Sequence, residues 1–187
     1  MVKRAYTNEE RLERACRRVA MHIRGLWEEK GSSDTRLLES PLLPDELVVA
    51  GQSRAYRGTG RREHVVPRLV VVRECLRMLE AGHDDEALAA FIRHHVKIVL
   101  LTAEESARLD RKEHLGLRQA MPPGWTFGDD IFARLDAAGI EWIPLPRLDQ
   151  AARRTTENVV CGSDTLESCR GAKDIARGKA LGWAGAT

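Results

Sequence analysis

Residues 7–31 carry apolar side chains at helical spacing between two end signals. Thr7 stands three residues before Glu10, which is the spacing of a capping box, and Gly31 marks the end of the pattern. A helix of this length has one apolar face that must be buried against the rest of the chain. The sequence therefore predicts a long amphipathic helix over residues 8–30. Its apolar positions are Leu12, Cys16, Val19, Ala20, Ile23 and Trp27.

A second unit is predicted over residues 45–82. Strand signals at 46–51 and 61–66 flank the glycine turn "RGTG", which is typical of a β-hairpin. Pro67 ends the second strand, and apolar residues at helical spacing follow it up to a glycine stop at Gly82. The predicted local order is therefore strand, strand, helix.

Helix and strand signals continue to alternate after this unit. "HDDEALAAFIR" predicts a short helix, and "HVKIVLL" predicts a buried strand that runs into a helix capped by Thr102 and Glu105. A helix is predicted near Asp129 and a last strand at 140–145. These elements predict a single α+β domain over residues 1–148, with a small mixed sheet, a central β-hairpin followed by a helix, and a long N-terminal helix. Residues 149–187 are predicted to be a polar, partly ordered tail.

Composition favours a cytoplasmic globular protein without membrane insertion. No apolar run approaches the roughly 18 residues of a membrane span, and the first 30 residues are charged throughout. The four cysteines lack the CxxC spacing of a zinc site, so reduced thiols are expected. They are Cys16, Cys75, Cys161 and Cys169.

The net charge of +2 conceals a basic segment. Residues 51–80 hold seven arginines against three glutamates, a local charge of +4, whereas residues 81–150 hold eight basic against twelve acidic residues, a local charge of −4. Arginine suits phosphate because its planar fork donates two parallel hydrogen bonds. A polyanion such as nucleic acid is therefore the expected partner of this segment. The candidate phosphate-binding residues are Arg57, Arg61, Arg62 and Arg68.

The segment "REHVVPR", residues 62–68, resembles the signature of HNH-type ββα-metal nucleases, in which an acidic residue and a histidine close a hairpin before a helix. The resemblance implies that Glu63 binds a divalent metal and that His64 is the general base. Mg²⁺ or Mn²⁺ is the implied ion, and Zn²⁺ is a further candidate. His94 or His95 stands at about the right distance downstream to complete the site, with His83 and Asp84 as weaker candidates.

Two other interpretations remain open for the same segment. The arginines of the hairpin are equally consistent with an exposed strand edge whose charges prevent aggregation. His64 is equally consistent with a structural histidine of the core.

The whole chain is also similar in character to plasmid accessory proteins, including fertility-inhibition factors of the Osa type. That resemblance implies an inhibitor of DNA transfer that acts on a protein partner in a transfer or defence system. The leading hypothesis from the sequence is a metal-dependent DNase, with DNA as the favoured nucleic acid. The alternative is such an inhibitor, which acts by protein binding, alone or together with DNase activity.

Overall fold

The computed structural model describes residues 4–111 and 114–145, so the predicted tail at 149–187, with Cys161 and Cys169, lies outside the described residues. Six α-helices, a 3-10 helix at Thr35–Leu38 and four strands follow one another along the described residues in an α+β arrangement. The helices are α1 Asn8–Lys30, α2 Asp45–Val48, α3 Arg68–Glu80, α4 Asp85–His95, α5 Ala103–Asp110 and α6 Ala133–Ala137. The strands are β1 Val49–Ser53, β2 Arg61–His64, β3 Ile98–Leu101 and β4 Trp142–Pro144.

The predicted N-terminal helix is confirmed as α1, with both predicted end signals. Thr7 and Glu10 form a reciprocal capping box, and Gly31 ends the helix in the left-handed conformation with a φ of 65°. The buried stripe of α1 packs against α4, and the ion pair between Arg24 and Asp85, at 2.5 Å, links the two helices outside that stripe. The apolar period of the sequence therefore sets both the length of the helix and its buried face.

The four strands form one mixed sheet in the order β2-β3-β1-β4. Strand β3 pairs in parallel with β1 and antiparallel with β2, while β4 pairs antiparallel with β1. The α+β class with a small mixed sheet is thus confirmed. Within residues 4–111 and 114–145, no helix has the length and apolar character needed to cross a lipid bilayer.

The predicted hairpin is wrong, because β1 and β2 are separated in the sheet by β3. The sequence "IVLL" of β3 is almost fully buried, whereas the sequence "RREH" of β2 is exposed in its first half. An apolar strand gains most by pairing on both edges in the middle of the sheet, and a charged strand is tolerated at an edge. The "RGTG" segment is therefore a connection across the end of β3 and not a hairpin turn.

Strand β4 can pair with β1 only because position 51 has no side chain. A Cβ atom at Gly51 would lie 2.6 Å from the Trp142 ring and would also strike the Ile143 carbonyl. The Trp142 ring stacks on Phe132 with ring centroids 4.4 Å apart, so it has little freedom to move away. Gly51 thus sets the approach of the last described strand.

We expect Gly51→Ala to lower the free energy of unfolding by about 2 kcal/mol, because overpacking displaces Trp142 and the pairing of β4. The matched control is Gly25→Ala inside α1, where a Cβ atom meets no atom within 4 Å. That change should raise the stability by about 0.5 to 1 kcal/mol through helix propensity. Urea denaturation of both variants measures the difference, and equal effects would contradict the packing described.

Candidate nucleic-acid interface

An open groove with a volume of about 930 Å³ lies where β2 begins, next to the start of α5. The groove exists because Gly60 brings the connection after β1 close to β3, where a Cβ atom would strike the Leu101 carbonyl. This groove is called the arginine groove below. Its lining residues are Ala55, Arg57, Thr59, Gly60, Arg61, Arg62, Thr102, Ala103 and Glu104.

The start of α5 forms one wall of the arginine groove. Thr102 and Glu105 make the predicted capping box, in which the Glu105 amide donates to Thr102 Oγ1 at 3.2 Å and the Thr102 amide donates to Glu105 Oε2 at 2.9 Å. The amides of Ala103 and Glu104 precede the first internal hydrogen bond of the helix, so they remain available to an acceptor. Amides in this position and the helix dipole both favour a bound anion.

Two serine-carboxylate hydrogen bonds hold α5 against the sheet. Ser53 Oγ on β1 donates to Glu105 Oε2 at 2.6 Å, and Ser106 Oγ on α5 donates to Glu63 Oε1 at 2.6 Å. Ser53, Glu105 and Ser106 are all buried. Short bonds between hydroxyl groups and carboxylates are stronger than neutral ones, so the distance from β2 to the start of α5 is well defined.

Three of the four candidate phosphate-binding arginines meet in the arginine groove, and the fourth does not. Arg57, Arg61 and Arg62 line it, whereas Arg68 lies at the start of α3 and pairs with Glu39. Arg57 Nη1 donates to the carbonyls of residues 54 and 56 at 2.7 and 2.9 Å, and Arg62 pairs with Asp45. Among the described residues, Arg61 makes no ion pair.

A buried arginine, which the sequence analysis missed, lies beside the same strand. Arg134 on α6 is 2% exposed, and its Nη1 donates to the His64 carbonyl at 2.6 Å. Its Nη2 atom lies 3.9 Å from Glu63 Oε2 and 3.6 Å from Asp110 Oδ1. Within the described residues this Nη2 atom makes no hydrogen bond. Arg134 therefore covers the outer edge of β2, where a strand end would otherwise expose unpaired backbone groups.

Burial outweighs ion pairing for both members of the Glu63–Arg134 contact. Burial is the largest influence on the Glu63 carboxyl and raises its pKa, although the Ser106 hydrogen bond and Arg134 act in the opposite direction. Burial also lowers the pKa of Arg134, against the pull of Glu63 and Asp110. Both groups are thus held in a site that disfavours charge.

His64 follows Glu63 on β2 and occupies a different environment. Successive side chains of a strand point to opposite faces, and Glu63 is on the face that contacts α5. Burial, followed by repulsion from Arg68, Arg62 and Arg134, lowers the pKa of His64 to about 4. Its Nδ1 has no hydrogen-bond partner within the described part of the chain. A histidine with this pKa is a weak proton acceptor at neutral pH.

The two histidines predicted to complete a metal site occupy different environments at the end of α4. His95 is buried, its Nδ1 lies 2.9 Å from the Phe91 carbonyl, and its ring packs against Phe91 and Phe127. His94 is exposed at the end of α4. Across residues 4–111 and 114–145, no three His, Cys, Asp or Glu side chains are grouped so that they could hold a metal ion. The metal site at Glu63, His94 and His95 therefore stays a prediction from the sequence.

No protein-family model, no curated protein and no solved structure matches this chain.

We expect Arg134→Ala to lower the free energy of unfolding by about 3 kcal/mol, because it removes a buried guanidinium from beside Glu63 and Asp110 and leaves the His64 carbonyl without a donor. Arg108 supplies a matched control: its Nη1 donates to the Ala138 carbonyl at 3.0 Å, but the residue is exposed. Arg108→Ala should cost less than about 1 kcal/mol. Chemical denaturation at pH 7 compares the two variants, and similar losses would argue against the role of burial.

The lowered pKa of His64 predicts a loss of stability in acid. Between the ordinary value of 6.5 and about 4, the unfolded chain takes up a proton at this histidine while the folded chain does not. Acid therefore favours unfolding, by up to about 3 kcal/mol at roughly 1.4 kcal/mol for each pKa unit. Glu63, whose pKa is raised, contributes in the opposite direction because the folded state then binds its proton more readily.

The expected result is that His64→Gln flattens the fall in unfolding free energy between pH 7 and pH 4. The measurement is urea denaturation across that range for the wild type, for His64→Gln and for His83→Gln as an exposed-histidine control. Parallel pH profiles for all three proteins would show that His64 titrates as an exposed group.

Proposed function

We propose that this protein binds nucleic acid, with DNA favoured, by gripping backbone phosphates in the arginine groove. The observation that carries the proposal is the convergence of Arg57, Arg61 and Arg62 on the start of α5. Guanidinium groups and free helix amides are the donors that proteins use for phosphate. Because these contacts would be made with phosphates and not with bases, the affinity should depend strongly on salt concentration and weakly on the nucleotide sequence.

The elements around the arginine groove are held in fixed positions by side-chain hydrogen bonds. The Ser106–Glu63 and Ser53–Glu105 bonds fix α5 on the sheet, and the His64 carbonyl is held by Arg134. Donors on a rigid frame lose little conformational entropy when a ligand binds. A stable frame therefore carries the exposed guanidinium groups that would do the binding.

Cleavage of the bound strand stays a prediction from the sequence. Glu63 and His64 are successive residues of β2, so their side chains point to different faces, and the described residues hold no cluster of three potential metal ligands that would support a hydrolytic step. The interpretation as an inhibitor of DNA transfer also stays open. It predicts an effect through a protein partner that does not need the groove arginines.

We expect the double variant Arg57→Ala/Arg61→Ala to bind a labelled oligonucleotide about tenfold or more weakly than the wild type, because two charge-assisted contacts are lost. The slope of log affinity against log salt should also fall by about 2. Fluorescence anisotropy between 50 and 200 mM salt, on single-stranded and duplex DNA, gives both values.

The control removes the same charge from another part of the basic segment. Arg73 and Arg77 are exposed on α3, so Arg73→Ala/Arg77→Ala keeps the groove while lowering the net charge equally. Equal losses of affinity for both double variants would show a general charge effect and not a specific groove. The absence of salt-dependent binding by the wild type would refute the proposal.

Parallel incubations with Mg²⁺, Mn²⁺ or EDTA test for cleavage, which His64→Gln should abolish if the sequence prediction holds.

A further inference from the structure

Arg62 is the groove arginine that already has an acidic partner. It lies on β2, lines the arginine groove and forms an ion pair with Asp45 Oδ1 in the first turn of α2. The side chains of Arg62 and Asp45 are 44% and 36% exposed, so the contact is at the surface. In the free protein the guanidinium that a phosphate would use is therefore occupied by a carboxylate.

The position of Asp45 is set by buried anchors on both sides of it. Leu43 and Val48 are 1% and 2% exposed, and α2 spans four residues between Pro44 and β1. The carboxylate thus reaches β2 from a short, tethered element. A neighbouring acid behaves in the same way, because Glu39 pairs with Arg68 on α3. Two of the four arginines predicted to bind nucleic acid are thus ion-paired with acidic residues of the segment 39–45.

We propose that Asp45 competes with nucleic-acid phosphate for Arg62, so that one arginine of the groove is held by a carboxylate of its own chain until a polyanion displaces it. This inference rests on the proposed function. An exposed ion pair contributes at most about 1 kcal/mol, whereas the guanidinium can form two hydrogen bonds with a phosphate. The exchange is therefore easy to reverse. Asp45 therefore lowers the affinity of the groove for nucleic acid, most of all for short or weakly bound strands.

The competition predicts that the loss of an acidic side chain improves binding. Asp45→Asn should bind the oligonucleotide about 2- to 5-fold more tightly than the wild type, because Arg62 is released and a repelling charge is removed. The slope of log affinity against log salt should steepen by up to about 1, since one more phosphate is neutralised. A gain of affinity is an outcome that damage to the fold would not produce.

Two controls separate the specific contact from the change in charge. Glu46 is the next residue and pairs with Arg11 of α1, away from the groove, so Glu46→Gln changes the net charge equally and should leave the affinity unchanged within twofold. In an Arg62→Ala background, Asp45→Asn should give no more than this small charge effect, because the arginine it competes for is absent. Thermal unfolding by circular dichroism checks that all variants are folded.

The outcomes distinguish this inference from the function it rests on. Salt-dependent binding by the wild type with no gain in Asp45→Asn, or an equal gain in Glu46→Gln, overturns the competition and leaves the proposed function standing. A gain that persists in the Arg62→Ala background also overturns it. The absence of binding by both the wild type and Asp45→Asn overturns the inference together with the function.

Discussion

The position of β3 in the middle of the sheet is the constraint on which the rest of the described structure depends. Its apolar sequence is buried by pairing with β1 on one side and β2 on the other. Because β3 takes the place between them, β2 is placed at an edge with its arginines near solvent. The chain leaves β3 directly into α5, so the first turn of that helix lies beside the start of β2.

The edge position of β2 then creates a requirement that Arg134 satisfies. A charged edge strand leaves backbone groups and the Glu63 carboxylate facing a partly buried space. Arg134 meets both needs by donating to the His64 carbonyl and by lying near Glu63 and Asp110. The cost is that both charges are desolvated, so the removal of either partner leaves the other in a site that disfavours charge.

Features encoded by neighbouring residues could be predicted from the sequence, and features that depend on distant partners could not. The caps at Thr7 and Thr102 were predicted because a capping box is complete within four residues. The prediction of a hairpin was wrong because a glycine turn indicates a tight connection but does not indicate which strands pair with each other. Arg134 was missed because "DDIFARLDAAG" has the character of a surface helix, and its burial requires β2 and α5 around it. The groove arginines were predicted as a charged segment, although the separation of Arg68 from the other three depends on the start of α3.

The most direct test of the central claim is hydrogen-deuterium exchange of the full chain with and without a saturating single-stranded or duplex oligonucleotide. We expect slower exchange at the connection before β2 and at the amides of Ala103 and Glu104, with little change along α1. Protection confined to α1 and α4, or none at residues 57–62 and 102–104 under conditions where binding is measured, would contradict the assignment of the arginine groove as the nucleic-acid site.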